Sequence, residues 1–267
     1  MFAKIKKGNL QYLKFKPWEK FGLSAIFTGK MSEEDQATAK LYKKLGIDTS
    51  PIIQPRQVHG KNIFLVKRAN FYRQRTPIAA DASLALPSLM INKNEDVEID
   101  SSSKLNSSFV LQGVYADCTP IYLCEPEQKI LALIHAGWRG TARRICQAVI
   151  RELKFRTKVN PEGLQAIIGP AIARKNYQVG PKVLDSFKDY WQDPEDFFAA
   201  DNSAAEEKYL LDLKKANYQD LLQQGLKADK IFVSSYDTFS EEDLFYSYRR
   251  EGNQAKRMKA LLFWHRD

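Results

Sequence analysis

Ile130-Leu131-Ala132-Leu133-Ile134-His135-Ala136-Gly137-Trp138-Arg139-Gly140-Thr141 begins as an unbroken apolar run, stops at a histidine and then brackets a Trp-Arg pair between two glycines. A helical pattern follows, with Ile145, Ala148, Val149 and Leu153 on one face. This predicts a buried strand, a tight turn and a helix N-terminus. Such a junction brings side chains and free backbone N–H groups to one sheet edge, where ligands bind. His135 falls at that edge and Arg139 in the turn. A histidine satisfied at a strand end and a histidine that acts as a ligand are both open readings at this point.

On the N-terminal side, Phe109-Val110-Leu111-Gln112-Gly113-Val114-Tyr115-Ala116 reads as a strand. Asp117-Cys118-Thr119-Pro120 interrupts it, and Ile121-Tyr122-Leu123-Cys124 continues it. Glu125-Pro126-Glu127-Gln128 then turns the chain back as a hairpin. Earlier still, Gln57-Val58-His59-Gly60 leads into Asn62-Ile63-Phe64-Leu65-Val66 and places a second histidine at the beginning of a strand. Ala79-Ala80-Asp81-Ala82 is a small-residue segment with a single acid, either a turn or cap residue or a functional carboxylate. Residues 21–28 read as an early strand. Ser32-Glu33-Glu34-Asp35 reads as an N-cap with acidic first-turn residues, and Ala37, Leu41 and Leu45 follow on one face of a helix that Gly46 ends. Residues 51–55 form a loop or short edge strand. Residues 92–108 are polar and serine-rich and read as a loop insertion.

Beyond residue 153, the strand pattern at 166–172 is followed by a helix from Pro181 with Val183, Leu184, Phe187 and Trp191 inward. Asp212 caps another helix that ends near Gly225. Ile231-Phe232-Val233 is a strand, Ser240-Glu241-Glu242-Asp243 opens a short helix, and residues 260–264 close the chain as a last strand. This irregular alternation predicts an α+β domain of mixed sheets covered by helices, spanning residues 1–267. No GxGxxG or GxxxxGK[ST] occurs, so dinucleotide-binding and P-loop readings fall.

The chain has 267 residues, 44% of them hydrophobic, enough for a sizeable core. Its net charge of +9 suits anionic ligands. The basic residues are dispersed, without the block expected of a nucleic-acid tail. No run reaches membrane-span length and no signal peptide is read, so nucleic acid and membrane are not expected partners. Cys118, Cys124 and Cys146 make an odd number without scaffold spacing. Cys118 and Cys124 sit on one apparent strand ~20 Å apart, too far for a disulfide. Reduced thiols in the cytoplasm fit best. The sequence contains no indication of oligomeric state.

Only three histidines occur, His59, His135 and His265. Two imidazoles and the Cys118 thiolate are good zinc ligands, and three protein ligands leave the open position that marks a catalytic site. The same groups also suit a metal-free hydrolase with a Cys118 nucleophile and a histidine base. Asp117 beside the thiol is expected to raise its pKa, which disfavours that use. Cys124 and Cys146 read as buried structural thiols, and His265 as a surface residue.

Gln57-Val58-His59-Gly60, Ala116-Asp117-Cys118-Thr119-Pro120 and His135-Ala136-Gly137-Trp138-Arg139-Gly140 resemble the three signature motifs of the YfiH family, also called laccase-domain or polyphenol-oxidase-like proteins. Ala80-Asp81-Ala82, Ile168-Gly169-Pro170, Tyr177-Gln178-Val179, Thr238-Phe239-Ser240 and Tyr248-Arg249-Arg250 are similar to family patterns in the same order. The resemblance implies a layered α/β/β/α fold and a metal held by His59, Cys118 and His135. It implies purine nucleoside phosphorylase activity on adenosine, inosine and S-methyl-5′-thioadenosine, with adenosine deaminase activity besides. Zinc is the expected metal, with copper as the alternative.

Departures from the family are Gly29-Lys30-Met31 where an Arg-x-Gly-Gly turn is expected, Ala171 for a cysteine, and Asp237-Thr238 for Cys-Thr. Four-copper oxidase chemistry needs about ten histidines as copper ligands, and the chain has no His-x-His.

Phosphorolysis requires a cationic pocket for phosphate and stabilisation of the departing base. Arg139, with the N–H groups of Gly140 and Thr141, is the expected phosphate ligand, and Arg249 or Arg250 contributes unless both are solvated surface residues. For deamination, water attacks C6 of adenine with an acid nearby, and Asp81 and Asp117 are the expected acids. A Cys118-dependent hydrolase, a copper-loaded polyphenol oxidase and a non-catalytic metal-binding protein are the alternatives.

Overall fold

The structure, a computed structural model, describes residues 2–7, 10–31, 34–66, 78–86 and 109–265. The predicted insertion at 92–108 and the Ser32 cap lie outside the described residues. The chain opens with a hairpin of β1 (Phe2–Lys7) and β2 (Leu10–Phe15), then β3 (Leu23–Thr28), helix α1 (Glu34–Leu45), β4 (Ile52–Ile53), β5 (Ile63–Val66) and β6 (Ala82–Ala85). The middle holds β7 (Val110–Tyr115), β8 (Thr119–Glu125), β9 (Ile130–Ala136), α2 (Trp138–Ala142), α3 (Ile145–Arg156) and β10 (Gln165–Ile168). There follow β11 (Gln178–Val179), α4 (Pro181–Lys188), β12 (Phe198–Ala200), β13 (Tyr209–Leu211), α5 (Leu213–Gln223), β14 (Ile231–Val233), α6 (Tyr248–Glu251) and β15 (Met258–Trp264).

Two six-stranded sheets form, in the orders β1-β2-β3-β15-β7-β4 and β14-β10-β8-β9-β6-β5, with a small third sheet, β11-β13-β12. Most pairs are antiparallel, but β4 with β7, β5 with β6 and β10 with β14 are parallel. The two large sheets face one another. Phe15, Phe27 and Leu262 from the first pack with Phe64, Tyr122, Leu133 and Ile167 from the second. Tyr122 binds the layers together by donating its hydroxyl to Ile26 O at 2.8 Å.

The outer face of the first sheet, with Ile26, Leu261 and Phe263, is covered by Ala37 and Leu41 of α1. The outer face of the second, with Ile121, Leu123 and Ile134, is covered by Ile145, Val149 and Leu153 of α3 and Leu221 of α5. The result is the mixed α+β class that the sequence predicts, with the α/β/β/α layering that the resemblance implies. It explains why β8 and β9 read as continuous apolar runs: alternate residues face different apolar layers, so neither face is polar. None of the described helices is long and apolar enough to cross a membrane.

Three expectations need correction. Residues 109–124 are not one interrupted strand, because β7 belongs to the first sheet and β8 to the second. Asp117, at φ 81°, is the corner where the chain changes layer. The helix after Gly140 is two helices, broken at Arg144 (φ 57°), whose guanidinium is fixed by Asp220 Oδ1 at 3.0–3.1 Å. No helix opens at Ser240. The Asp237 carboxylate accepts from Ala173 N, Phe239 N and Ser240 Oγ, which fixes 237–240 as turns, and α6 starts only after Ser247, whose hydroxyl caps Arg250 N. The opening hairpin and the third sheet carry short alternations that sequence reading did not resolve into strands.

Candidate metal and substrate site

Three chain segments meet where β9 ends. His135 is the penultimate residue of β9 and is buried. Cys118 follows the layer-changing corner at Asp117. His59 sits in the loop before β5, itself at φ 57°. Two non-glycine residues in the left-handed region at one site mark backbone held by its surroundings.

The surroundings of His59 are specific. Gln57 pairs with the edge of β7 as a strand would, its Nε2 donating to Val114 O at 3.0 Å and its Oε1 accepting from Val114 N at 2.8 Å. The Asp81 carboxylate then accepts from three successive backbone N–H groups, Val58 at 3.0 Å, His59 at 2.8 Å and Gly60 at 2.7 Å. The same carboxylate faces His135 Nδ1 at 3.2 Å. One buried acid thus places both histidines. Burial pushes its carboxyl up, but the His135 ring and these N–H donors outweigh burial and hold it below the usual range.

The ligand atoms of His59, Cys118 and His135 all lie within 4.8 Å of one another. The imidazole rings are 4.8 Å apart and edge-on. Burial pushes the Cys118 thiol up, but His135 and His59 beside it bring it down to about 6. Burial pulls the His135 imidazole down, but Cys118 and Asp81 lift it to about 9. The expected rise of the thiol pKa by Asp117 does not occur. That carboxylate is turned to Thr238 Oγ1 (2.7 Å), Ser247 Oγ (2.9 Å) and Arg249 N (2.7 Å). One thiolate sulfur and two imidazoles, with the buried ring oriented by a carboxylate, are a donor set that could hold a metal ion and leave it an open position.

Gly137 is needed behind this cluster. A Cβ there would lie 2.9 Å from Cys118 Sγ and 3.3 Å from His59 Cδ2. Its backbone, φ −78° and ψ 171°, suits any residue, so the constraint is purely steric. Gly137→Ala is expected to displace the sulfur, to cost about 1–3 kcal/mol of stability and to lower bound metal below one equivalent, checked by denaturant midpoints and metal analysis.

The mouth of the site is basic and aromatic. Arg139 is exposed and stacks on Trp138, its Cζ 4.2 Å from the ring centroid. Arg249 is also exposed and stacks on Tyr177 at 5.2 Å. Its backbone N–H is the one bound by Asp117, next to Cys118. Burial and the nearby Cys118 raise the Tyr177 phenol above its ordinary range, against the opposing effect of Arg249.

The other expected phosphate ligands are placed differently. Thr141 is buried and its backbone N–H donates to Gly137 O at 2.9 Å, so that N–H is not free for an anion; its hydroxyl accepts from Asn217 Nδ2. Gly140 is buried where a Cβ would meet Gly60 O at 2.9 Å, which is a packing role. Arg250 donates to the carbonyls of Thr238, Phe239 and Phe245 and to Glu251, so it is the brace of the 238–245 loop and not a free cation. Cys124 and Cys146 are buried thiols whose pKa burial pushes up, and His265 is exposed and hydrogen-bonded to Ser24, as expected. Gln57 and Tyr177 were legible only as motif members. Neither residue type announces, from sequence alone, a pairing with a strand edge or a stack under an arginine.

A layered α/β/β/α protein with a His-Cys-His cluster at the junction of its two sheets is thereby defined. The chain belongs to the YfiH, or laccase-domain, family. The family model described as multi-copper polyphenol oxidoreductase laccase matches residues 14–265. Purine nucleoside phosphorylase YlmD of Bacillus subtilis (strain 168) is 34% identical over 148 residues, 55% of this chain and 52% of that protein. Purine nucleoside phosphorylase YlmD of Geobacillus stearothermophilus is 32% identical over 206 residues, 77% of this chain and 69% of that protein. The aligned part of the chain thus spans about half the length of the Bacillus subtilis relative (52%). The crystal structure of YlmD from Geobacillus stearothermophilus superimposes with a TM-score of 0.80 at 24% identity, covering 99% of this chain and 100% of that one. That of Bacillus licheniformis hypothetical protein YfiH gives 0.79 at 24% identity, covering 98% of each. These likenesses establish the fold.

Proposed function

We propose that the chain is a zinc-dependent purine nucleoside phosphorylase of the cytoplasm, converting adenosine, inosine or S-methyl-5′-thioadenosine and phosphate to free base and the sugar 1-phosphate. The observation that carries the reading is the pairing of the His59-Cys118-His135 cluster with two arginines at its mouth, in a chain whose curated relatives bear the phosphorylase name. A zinc ion, when held by these three residues, supplies a Lewis acid at an open coordination position.

The chain's own residues do the rest. Arg139 and Arg249 bind the phosphate and hold one of its oxygens towards C1′ of the nucleoside. That oxygen forms the new C1′–O bond. The bond from C1′ to the purine nitrogen breaks, the pair leaves with the base, and the base takes a proton from solvent. The aromatic faces of Trp138 and Tyr177 keep the arginines extended without an acidic partner that would compete with phosphate. Asp81 is a positioning residue: it fixes the His135 tautomer, so that Nε2 and not Nδ1 is offered to a metal.

Asp81 and Asp117 were the expected acids for adenosine deamination. Asp81 already accepts from four groups and Asp117 from three. Deamination at the same site is therefore the slower activity in this reading.

A second reading is favoured by one observation. Asp81, His135 and Cys118 form a chain of contacts, with the thiol pKa brought down to about 6, as in a thiol hydrolase. One experiment separates the two. Inosine is incubated with the protein with and without phosphate, and with and without a chelator. The phosphorylase yields hypoxanthine only with phosphate, loses activity to the chelator and regains it with zinc. Hypoxanthine formed without phosphate and despite the chelator would establish the hydrolase instead.

A further inference from the structure

Four arginines of this part of the fold divide into two groups by their partners. Arg250 and Arg144 have their guanidinium groups bound to carbonyls or carboxylates. Arg139 and Arg249 do not: each rests on an aromatic face, and neither has an acidic partner among the described residues. Tyr177 is the third member of this unpaired set. Its phenol is half-buried and has no hydrogen-bond acceptor among the described residues. It lies within electrostatic reach of Cys118, Asp117, Arg249 and Arg139.

The backbone explains the convergence. Arg249 N is tied to Asp117, one residue from Cys118. Arg139 is two residues from Gly137, which backs the Cys118 sulfur. Tyr177 is fixed from its other side, its N–H bound to Arg174 O and its carbonyl to Leu211 N. Two exposed arginines without acidic partners, with a half-buried phenol lying under one of them and within electrostatic reach of both, form a candidate anion site.

We infer that the Tyr177 hydroxyl is a third donor to the anion held by Arg139 and Arg249, and that it selects a tetrahedral oxyanion over a carboxylate. A carboxylate is planar and its two oxygens are satisfied by one arginine fork. A tetrahedral oxyanion presents oxygens in further directions, one of which the phenol, a neutral donor at pH 7, can take while the arginines hold the others. The inference rests on the phosphorylase reading for the identity of the anion as phosphate, but not for the existence of the site.

The test uses the full chain, metal-loaded, and the variant Tyr177→Phe, which keeps the ring under Arg249 and removes only the hydroxyl. Phosphate and acetate binding are measured by titration calorimetry, and KM for phosphate and for inosine by steady-state kinetics. The dissociation constant and KM for phosphate are expected to rise about tenfold, the loss of one hydrogen bond to a charged group. Acetate binding, KM for inosine, metal content and melting temperature are expected to stay unchanged. Phosphate affinity within twofold of the parent, or no phosphate binding by the parent, overturns the inference. Weakened phosphate binding in the variant, with no base released by the parent protein, leaves the Tyr177 assignment standing and removes the phosphorylase reading.

Discussion

Cys118→Ala is expected to abolish nucleoside turnover and to empty the site of metal. Cys118 is the only thiolate among the three ligands and sits between the two imidazoles, with all three ligand atoms within 4.8 Å. Its removal leaves two imidazoles, one of them exposed. Changes to groups that merely orient a ligand cost about 10–100-fold in affinity or activity, so loss of a ligand is expected to cost about 10³-fold or more in kcat/KM. The fold should survive, because Cys118 precedes β8 and the layer change is held by Asp117. The checks are metal per chain by mass spectrometry, kcat/KM with inosine, and an unchanged melting curve of the metal-free forms. Cys118→Ser is expected to fall in between on metal affinity, since an alcohol is a weaker and harder ligand than a thiolate.

Asp81→Ala is expected to show the largest loss of stability of any single change at the site, about 3–5 kcal/mol, the cost of leaving one side of a buried charged network without its partner. Three backbone N–H groups and one imidazole lose their acceptor together. The His59 loop, at φ 57°, then keeps only the Gln57–Val114 pairing to hold its left-handed turn, and His135 is free to take the wrong tautomer. Metal affinity is expected to fall about 10–100-fold in the same variant. Asp81→Asn keeps one carbonyl oxygen as an acceptor and should retain part of both properties. Urea unfolding and competitive metal titration measure the two effects separately. A variant with normal stability and normal metal affinity would refute the view that Asp81 builds the site.

The sequence carried the cluster more plainly than the machinery around it. The candidate ligands are legible because histidine is rare in this chain and two of its three copies lie within two residues of a glycine. Gly137 marks the same spot for a reason the structure supplies: no Cβ fits behind the Cys118 sulfur. The layers are legible where apolar periodicity is long, as in β8, β9, α3 and α5. The change of sheet at Asp117 is not, since a polar break inside an apolar run looks the same whether the strand resumes in its own sheet or in the opposite one.

The arginines divide for a comparable reason. Arg249 and Arg250 are adjacent and identical in type, yet one stacks on Tyr177 while the other is bound by backbone carbonyls. Only the path of the 238–245 loop separates them, and that path depends on the Asp237 carboxylate that fixes its first turn. The family description names copper oxidation, but three histidines cannot furnish the ligands of several copper centres.

The most direct measurement of the central claim follows the fate of phosphate oxygen. The protein, loaded with zinc, is given inosine and phosphate labelled with ¹⁸O in every position, and the sugar product is analysed by mass spectrometry. Attack of phosphate on C1′ predicts ribose 1-phosphate that retains the full label, including the oxygen bridging to carbon. Free ribose as the sugar product, with the labelled phosphate unconsumed, would contradict the account.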